Sequence, residues 1–283
     1  MTKKIAVIND LSGFGRCSLT AAIPVIAAMG VQPCPLPTAV LSAQTGYPSY
    51  YCDDYTDRMH YFQREWEKMG AEFDGIYTGF VASEQQIENI FDFLDTFHKK
   101  KTFLLVDPVL GDDGKVFDMF SENICDLMKE LAARADIITP NLTELCLLTD
   151  TNYRMIQEMT DEKHLLKIIE QLARNLVKRG LKTVVVTGVH FLDSDDGILK
   201  MGNLAVTEKQ SSISAFPYVG GSYSGTGDLF ASVLAGGMAR GDKVSECIEL
   251  AGRFIEKAIV DSVEEDVPRN DGVNYEKYLG ILM

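Results

Sequence analysis

Short β-branched runs alternate with longer amphipathic stretches along most of this chain. Lys4 to Asn9 is the first run, and Phe73 to Gly79, Phe103 to Asp107, Asp136 to Thr139 and Thr183 to Thr187 follow. Between them, helical spacing covers Cys17 to Met29, Asp54 to Met69, Glu84 to Lys99, Ser121 to Arg134 and Asp161 to Arg179. In the last stretch Leu165, Ile168, Ile169, Leu172 and Leu176 return on one helical face, the spacing of a surface helix packed on a core. Such alternation predicts an α/β sandwich, with a mainly parallel central sheet flanked by helices on both faces.

The rhythm changes after Thr187. Phe191 to Leu199 and Asn203 to Glu208, joined through Met201-Gly202, predict an antiparallel hairpin at one sheet edge, with Ser211 to Phe216 as a further edge strand. A glycine turn at Gly220-Gly221, a helix carrying Asp228 and a helix around Ser245 to Val260 complete the chain. No repeat, low-complexity tract or linker interrupts the pattern, so residues 1–283 are expected to form a single domain.

Composition narrows the class. With 46% hydrophobic residues among 283, the chain can bury a large core. Its longest apolar runs, such as Ala21 to Met29, are too short to span a membrane. The segment from Met1 reaches Asn9-Asp10 after four apolar residues, which is a first strand and not an export signal. A cytoplasmic location is the expectation. A net charge of −14 argues against nucleic-acid or membrane partners, yet leaves room for a phosphate pocket made of backbone amides. The six cysteines form no CxxC pair, so reduced core thiols are expected and no zinc.

Chemistry gathers where the strands end, the edge at which doubly wound sheets bind ligands. Asn9-Asp10-Leu11-Ser12 follows the first strand, and Asp107-Pro108-Val109-Leu110-Gly111-Asp112 follows the third. Thr139-Pro140-Asn141-Leu142-Thr143-Glu144 and Thr187-Gly188 follow the fourth and fifth. Gly225-Thr226-Gly227-Asp228 opens an apolar helix. Bare amides at a helix start hold anions, and an acid in that electropositive turn should ionise readily and take a proton from a hydroxyl. The combination points to phosphoryl transfer onto an alcohol. Asp107, Asp112 and Glu144 are hard oxygen ligands suited to magnesium, and Asn141 suits a phosphate or a metal-bound water. No GxxxxGK[ST] loop and no protein-kinase motif set is present.

Each of these residues also has a plainer role open to it. Thr226 or Asp228 could cap the helix, Glu144 could complement the next helix dipole, and Asp107 could cap the Gly111 amides. Asp10 could cap the Gly13–Gly15 turn. Tyr47, Tyr50 and Tyr51 could close over a site or sit at an oligomer contact.

Taken together, these motifs resemble the ribokinase-like superfamily and, within it, the pyridoxal/pyridoxamine kinases. Gln44-Thr45-Gly46-Tyr47 adds the vitamin B6 branch. The resemblance implies a homodimeric, ribokinase-like kinase that takes ATP as co-substrate, Mg2+ as cofactor and a pyridoxal-type vitamer as acceptor. Asp228 then looks like the base for the 5′-hydroxymethyl group, and Gly225, Thr226 and Gly227 like the anion hole. Asp112 and Glu144 match magnesium and ATP positions, Asn141 a phosphate contact, and Thr187 and Gly188 a nucleotide contact. Asp107, Thr139 and Thr187 match positions that surround a monovalent cation in some members. Thr45 matches a ring contact, and Ser12, Tyr47 and Phe80 fall in the same acceptor region. Three departures stand out: Asp10 in place of a serine after the first strand, Leu41-Ser42-Ala43-Gln44 without the aromatic and the Asn-His pair common in other branches, and Phe80 in place of a tyrosine. Asp10 is similar to the acid of the hydroxymethylpyrimidine kinases, which are therefore the alternative. A non-catalytic ligand-binding regulator of the same fold is the rival from another class.

Overall fold

A computed structural model describes residues 2–159 and 161–283, so Met1, where the N-terminal reading starts, lies outside it. The chain divides into two compact units, one built from residues up to Asp107 together with Val219–Met283, the other from Pro108–Tyr218.

The first unit begins with β1 (Lys4–Ser12), α1 (Ser18–Ala28), β2 (Gln32–Leu41), β3 (Cys52–Asp54), α2 (Thr56–Lys68), β4 (Gly75–Thr78), α3 (Glu84–Phe97) and β5 (Phe103–Val106). Its strand order is β5-β4-β1-β2-β3, parallel except for β3. Ile5, Ala6, Val7 and Ile8 of β1 are all fully buried, as a central parallel strand covered on both faces requires.

The pattern of the sequence does not disclose β2, because Pro33, Pro35 and Pro37 interrupt it. The structure shows why they are tolerated. The Gln32 N–H donates to the Lys3 carbonyl, so alternation turns positions 33, 35 and 37 away from β1. The antiparallel β3 pairs only with Ala39, Val40 and Leu41. The missing proline donors therefore fall on an open stretch of edge.

The second unit contains β6 (Gly111–Asp112), β7 (Lys115–Val116), α4 (Glu122–Ala133), β8 (Ile137–Ile138), α5 (Leu142–Leu148), α6 (Tyr153–Gln157), α7 (Glu162–Lys178), β9 (Thr183–Leu192), β10 (Leu199–Thr207) and β11 (Ser211–Pro217). β8 runs parallel to β9, and β9, β10 and β11 are antiparallel. Asp113 and Gly114 link β6 to β7 with φ of 49° and 76°, the two-residue hairpin turn that favours Asp-Gly.

The expected edge hairpin is present, but its turn is misplaced by the sequence reading. The chain reverses at Asp193–Gly197 and not at Met201-Gly202. Gly197 has φ 70° and its N–H donates to the Asp193 carbonyl. Lys200 ties the turn together through Asp193 at 2.6 Å and Asp196 at 2.7 Å. Gly202 sits inside β10, where the register slips between Gly202 and Leu204, the bulge role of a strand glycine.

The chain then returns to the first unit with α8 (Thr226–Arg240) and α9 (Val244–Glu264), followed by short 3-10 turns at Arg269–Asp271 and Glu276–Leu282. α8 is buried along nearly its whole length after its first turn.

Candidate active site

In the first unit the groups of interest meet at the end of β1 and the start of α8. Gly225 is the residue before the helix, with φ 84°, and a Cβ there would collide with the Arg16 carbonyl. Only glycine fits. Gly227 is different: its Cβ would meet nothing nearer than Asp107 Oδ2 at 3.9 Å. Its missing side chain leaves space over the helix start and brings the buried Asp107 carboxylate beside it.

No side chain caps α8 from Gly225. The Thr226 hydroxyl donates backwards to the Tyr223 carbonyl at 3.2 Å, so it does not serve the helix amides. Asp228 does not cap either. Asn9 Nδ2 donates to its Oδ1 at 3.0 Å, and the Ser18 backbone N–H also stabilises its charged form. Ser18 holds a left-handed φ of 50° at the start of α1, an uncommon conformation for serine. None of these side chains caps the first amides of this long buried helix, an arrangement whose geometry and dipole suit an anion.

Asp228 is half-buried. Burial, with the Asp10 charge adding to it, pushes its carboxyl up to about 6. The sequence reading expected ready ionisation from the helix dipole; desolvation outweighs it here. A pKa near 6 still leaves the group charged at neutral pH and makes it a better proton acceptor.

Asp10 is buried, and burial raises its carboxyl above the usual range. Ser12 Oγ donates to Asp10 Oδ2 at 2.7 Å, and the Ser18 side chain adds a second bond. Gly13 N–H instead donates to the Leu41 carbonyl. The turn-capping role for Asp10 therefore has no support in its hydrogen bonds. Phe80 packs beside this cluster through its backbone: its N–H donates to Asn9 Oδ1 at 2.9 Å and its carbonyl accepts from Thr38 Oγ1 at 3.0 Å.

The Gln44–Tyr47 loop is tied to the C-terminal segment. Gln44 Nε2 donates to the Asn270 carbonyl at 3.1 Å, and Asn270 Nδ2 donates to the Gly46 carbonyl at 2.7 Å. The Tyr47 hydroxyl donates to Asp271 Oδ1 at 2.5 Å, and its ring stands edge-on to Phe14. Thr45 is exposed. Tyr47 is thus anchored, while Tyr51 is 70% exposed.

The second unit holds the other expected residues. Asn141 Oδ1 accepts from the Glu144 N–H at 2.9 Å, and Glu144 Oε2 accepts from the Asn141 N–H at 2.8 Å. This is a capping box on α5. Glu144 Oε1 also accepts from the Leu110 N–H, and Asn141 Nδ2 donates to the Gly111 carbonyl at 2.9 Å. Both side chains are thereby committed to shaping the loop that carries Asp112. Asp112 is exposed on β6, its Oδ1 accepting from the Asp113 N–H. Thr139 is buried just past β8. The Thr187 N–H donates to the Pro140 carbonyl, and Gly188, at φ 65°, donates to Asn203 Oδ1 at 3.3 Å.

Among the described residues no three acidic, histidine or cysteine groups form a ready-made metal cage. Within the second unit, Asp112 and Glu144 are nevertheless oxygen donors of the kind that suits magnesium, a hard cation that commonly uses one or two carboxylates and takes its other oxygens from phosphates and water. Asp112 is the exposed carboxylate in that set. No helix among the described residues is long and apolar enough to cross a membrane.

The family model for phosphomethylpyrimidine kinase matches residues 15–270. The chain belongs to that family. Phosphomethylpyrimidine kinase family members transfer a phosphoryl group to an alcohol, and this chain is a kinase of that kind. It is 26% identical to the pyridoxine/pyridoxal/pyridoxamine kinase of Bordetella avium, over 91% of this chain and 86% of that protein. It is also 26% identical to the hydroxymethylpyrimidine/phosphomethylpyrimidine kinase of Bacillus subtilis, over 66% of this chain and 63% of that one. Against another curated relative the match spans 46% of the relative's length. A Bacteroides thetaiotaomicron structure, described as a candidate phosphomethylpyrimidine kinase and crystallised with pyridoxal, is similar at a TM-score of 0.90. It shares 37% identity and covers 100% of this chain and 96% of that one. The family's α/β fold, with its mainly parallel sheet flanked by helices, is therefore the fold of this chain.

Asn9 is the residue that sequence reasoning passed over. It figures there only as the end of the first strand run and the start of the loop after it, although the structure makes it the direct partner of Asp228.

Proposed function

We propose that this kinase phosphorylates the 5′-hydroxymethyl group of vitamin B6 precursors, pyridoxal, pyridoxine or pyridoxamine, with ATP as the phosphoryl donor. The observation that carries the proposal is the uncapped start of α8 with Asp228 turned away from its own helix. Asp228 takes the proton of the acceptor hydroxyl as its oxygen attacks the γ-phosphorus, and ADP departs. The amides at residues 225–228 hold the migrating phosphoryl charge, which is the largest contribution a site of this kind offers. Asp112, and Glu144 through water, would hold Mg2+, which neutralises phosphate charge when bound. The family resemblance matches Asp107 in the first unit, and Thr139 and Thr187 in the second, each to a position associated with a monovalent cation. Asp10, with Ser12, suits a protonated ring nitrogen or an exocyclic amine.

The full-length similarity to a B6 kinase and the pyridoxal held by the Bacteroides neighbour support the B6 acceptor. The Asp10 carboxyl favours hydroxymethylpyrimidine as the second reading, since an aminopyrimidine offers it the same donor. Specificity constants for pyridoxal, pyridoxamine, pyridoxine and hydroxymethylpyrimidine, read as ADP release by the purified protein, decide between them. The proposal expects the pyridines to lead. A decisive preference for the pyrimidine overturns it.

A further inference from the structure

Asn9 lies at the meeting point of three elements: the end of β1, the exit of β4 and the start of α8. Its Oδ1 accepts two backbone N–H groups, Asp10 at 3.0 Å and Phe80 at 2.9 Å. With the oxygen fixed by two donors, the amide has one orientation, and Nδ2 must face Asp228 Oδ1 at 3.0 Å. Asn9 is fully buried, and the neighbouring chain makes room for it. A Cβ on Gly79 would collide with the Asn9 amide. An apolar residue would leave the two amide donors without that acceptor, and a shorter polar one would not reach across to α8. The side chain therefore meets two requirements at once, one of the fold and one of the acid.

We propose that Asn9 is a positioning residue for the phosphoryl transfer: it fixes the rotamer of the Asp228 carboxylate and so the direction in which it meets the acceptor hydroxyl. This rests on the reading of Asp228 as the base. The titratable groups around that carboxylate are Asp10, Cys17 and Tyr77. Burial pushes the Cys17 thiol up to about 12 and raises the Tyr77 hydroxyl well above its usual range, so neither ionises near neutrality. Asp10 adds its charge to that of Asp228 directly, and the buried Asp107 carboxylate lies beside Gly227 at the same helix start.

Asn9→Asp is nearly isosteric. One carboxylate oxygen still accepts from Asp10 and Phe80, while the other now faces Asp228 as a like charge. Asn9→Ala removes the tether without adding charge. The test measures kcat, KM for each substrate, and the pH profile of kcat/KM for both variants, with melting temperatures recorded beside them. In Asn9→Ala, kcat should fall about tenfold or more through lost orientation, with KM for ATP unchanged. In Asn9→Asp the acidic limb of the profile should move about one unit or more to higher pH. A merely structural asparagine would lower the melting temperature of both variants and leave kcat and the limb in place, and that result overturns the inference. Asp228→Asn separates the two levels. Wild-type turnover in that variant removes the base and this inference with it. Lost turnover there, with both Asn9 variants at wild-type kcat and an unmoved limb, removes the role of Asn9 alone. One folded Asn9 variant is enough to decide.

Discussion

α5 and α8 begin on motifs that are close to equivalent in sequence, and the two starts are completed in opposite ways. Each carries an acid at the third position of the helix, Glu144 in α5 and Asp228 in α8. In α5 the residue before the helix is Asn141, and the acid reaches back to its N–H to close a capping box. In α8 the corresponding residue is Gly225, which has no side chain to offer, and the acid turns outward to Asn9 and Ser18. One acid satisfies its own backbone, and the other is held by distant backbone and side-chain groups. Uncapped helix amides are unfavourable for the fold, so the uncapped start of α8 is where the proposed phosphoryl group would complete it. The hydrogen bonds of α5 fit the plain reading of an acid at a helix start, and the catalytic reading is the one proposed for α8.

Several variants break or sharpen that contrast. Gly225→Ala should have the largest effect, because the new Cβ meets the Arg16 carbonyl in a left-handed conformation. A loss of about 3 kcal/mol or more in unfolding free energy, together with activity, is expected from a clash of that kind. Gly227→Ala provides the matching control. Its Cβ has room, and alanine favours a helix, so the melting temperature should hold or rise. Turnover should nevertheless fall by about 10²-fold if the phosphoryl group occupies the space the new methyl takes and is displaced by it. Equal losses of stability at the two glycines would erase the distinction between a structural and a catalytic glycine.

Glu144→Ala tests the other helix. It leaves the Leu110 and Asn141 N–H groups without their acceptor, so unfolding should become easier by about 2 kcal/mol. Any effect on activity should come through KM for ATP. A variant of unchanged stability that no longer transfers phosphate would put Glu144 on the same footing as Asp228. Asp10→Asn should have the smallest effect. It should weaken a cationic acceptor by about tenfold, as loss of one charge-assisted hydrogen bond does, and pyridoxamine more than pyridoxal. Acceptor KM values report it.

Much of this was legible in the chain. The strand and helix alternation and the Gly225-Thr226-Gly227-Asp228 run stand out because glycine and acid positions follow from local backbone needs. The rest depends on contacts far apart in sequence. Asn9 and Asp228 are separated by 219 positions, so no local spacing announces their bond. β2 was hidden because its prolines are acceptable only on an open edge, and edges are a property of the assembled sheet. The hairpin turn was misplaced because a bulge glycine and a turn glycine look alike until the Lys200 ion pairs are seen. The raised carboxyl of Asp228 is likewise a consequence of burial, which the dipole argument from sequence does not contain.

The most direct test of the contrast is Asp228→Asn, assayed for phosphoryl transfer and for thermal stability across pH. A carboxyl raised from 3.8 to about 6 in the fold binds protons more tightly folded than unfolded. Its ionisation therefore costs stability, fully above pH 6 and not at all below about 4. The account predicts that Asp228→Asn loses transfer by about 10²–10⁴-fold and binds ATP as before. It also predicts a higher melting temperature at neutral pH, the gain declining as the pH falls below about 6 and gone by about 4. A variant that keeps its turnover, or that is less stable than the parent at neutral pH, would contradict the claim that Asp228 is held for the reaction at the expense of the fold.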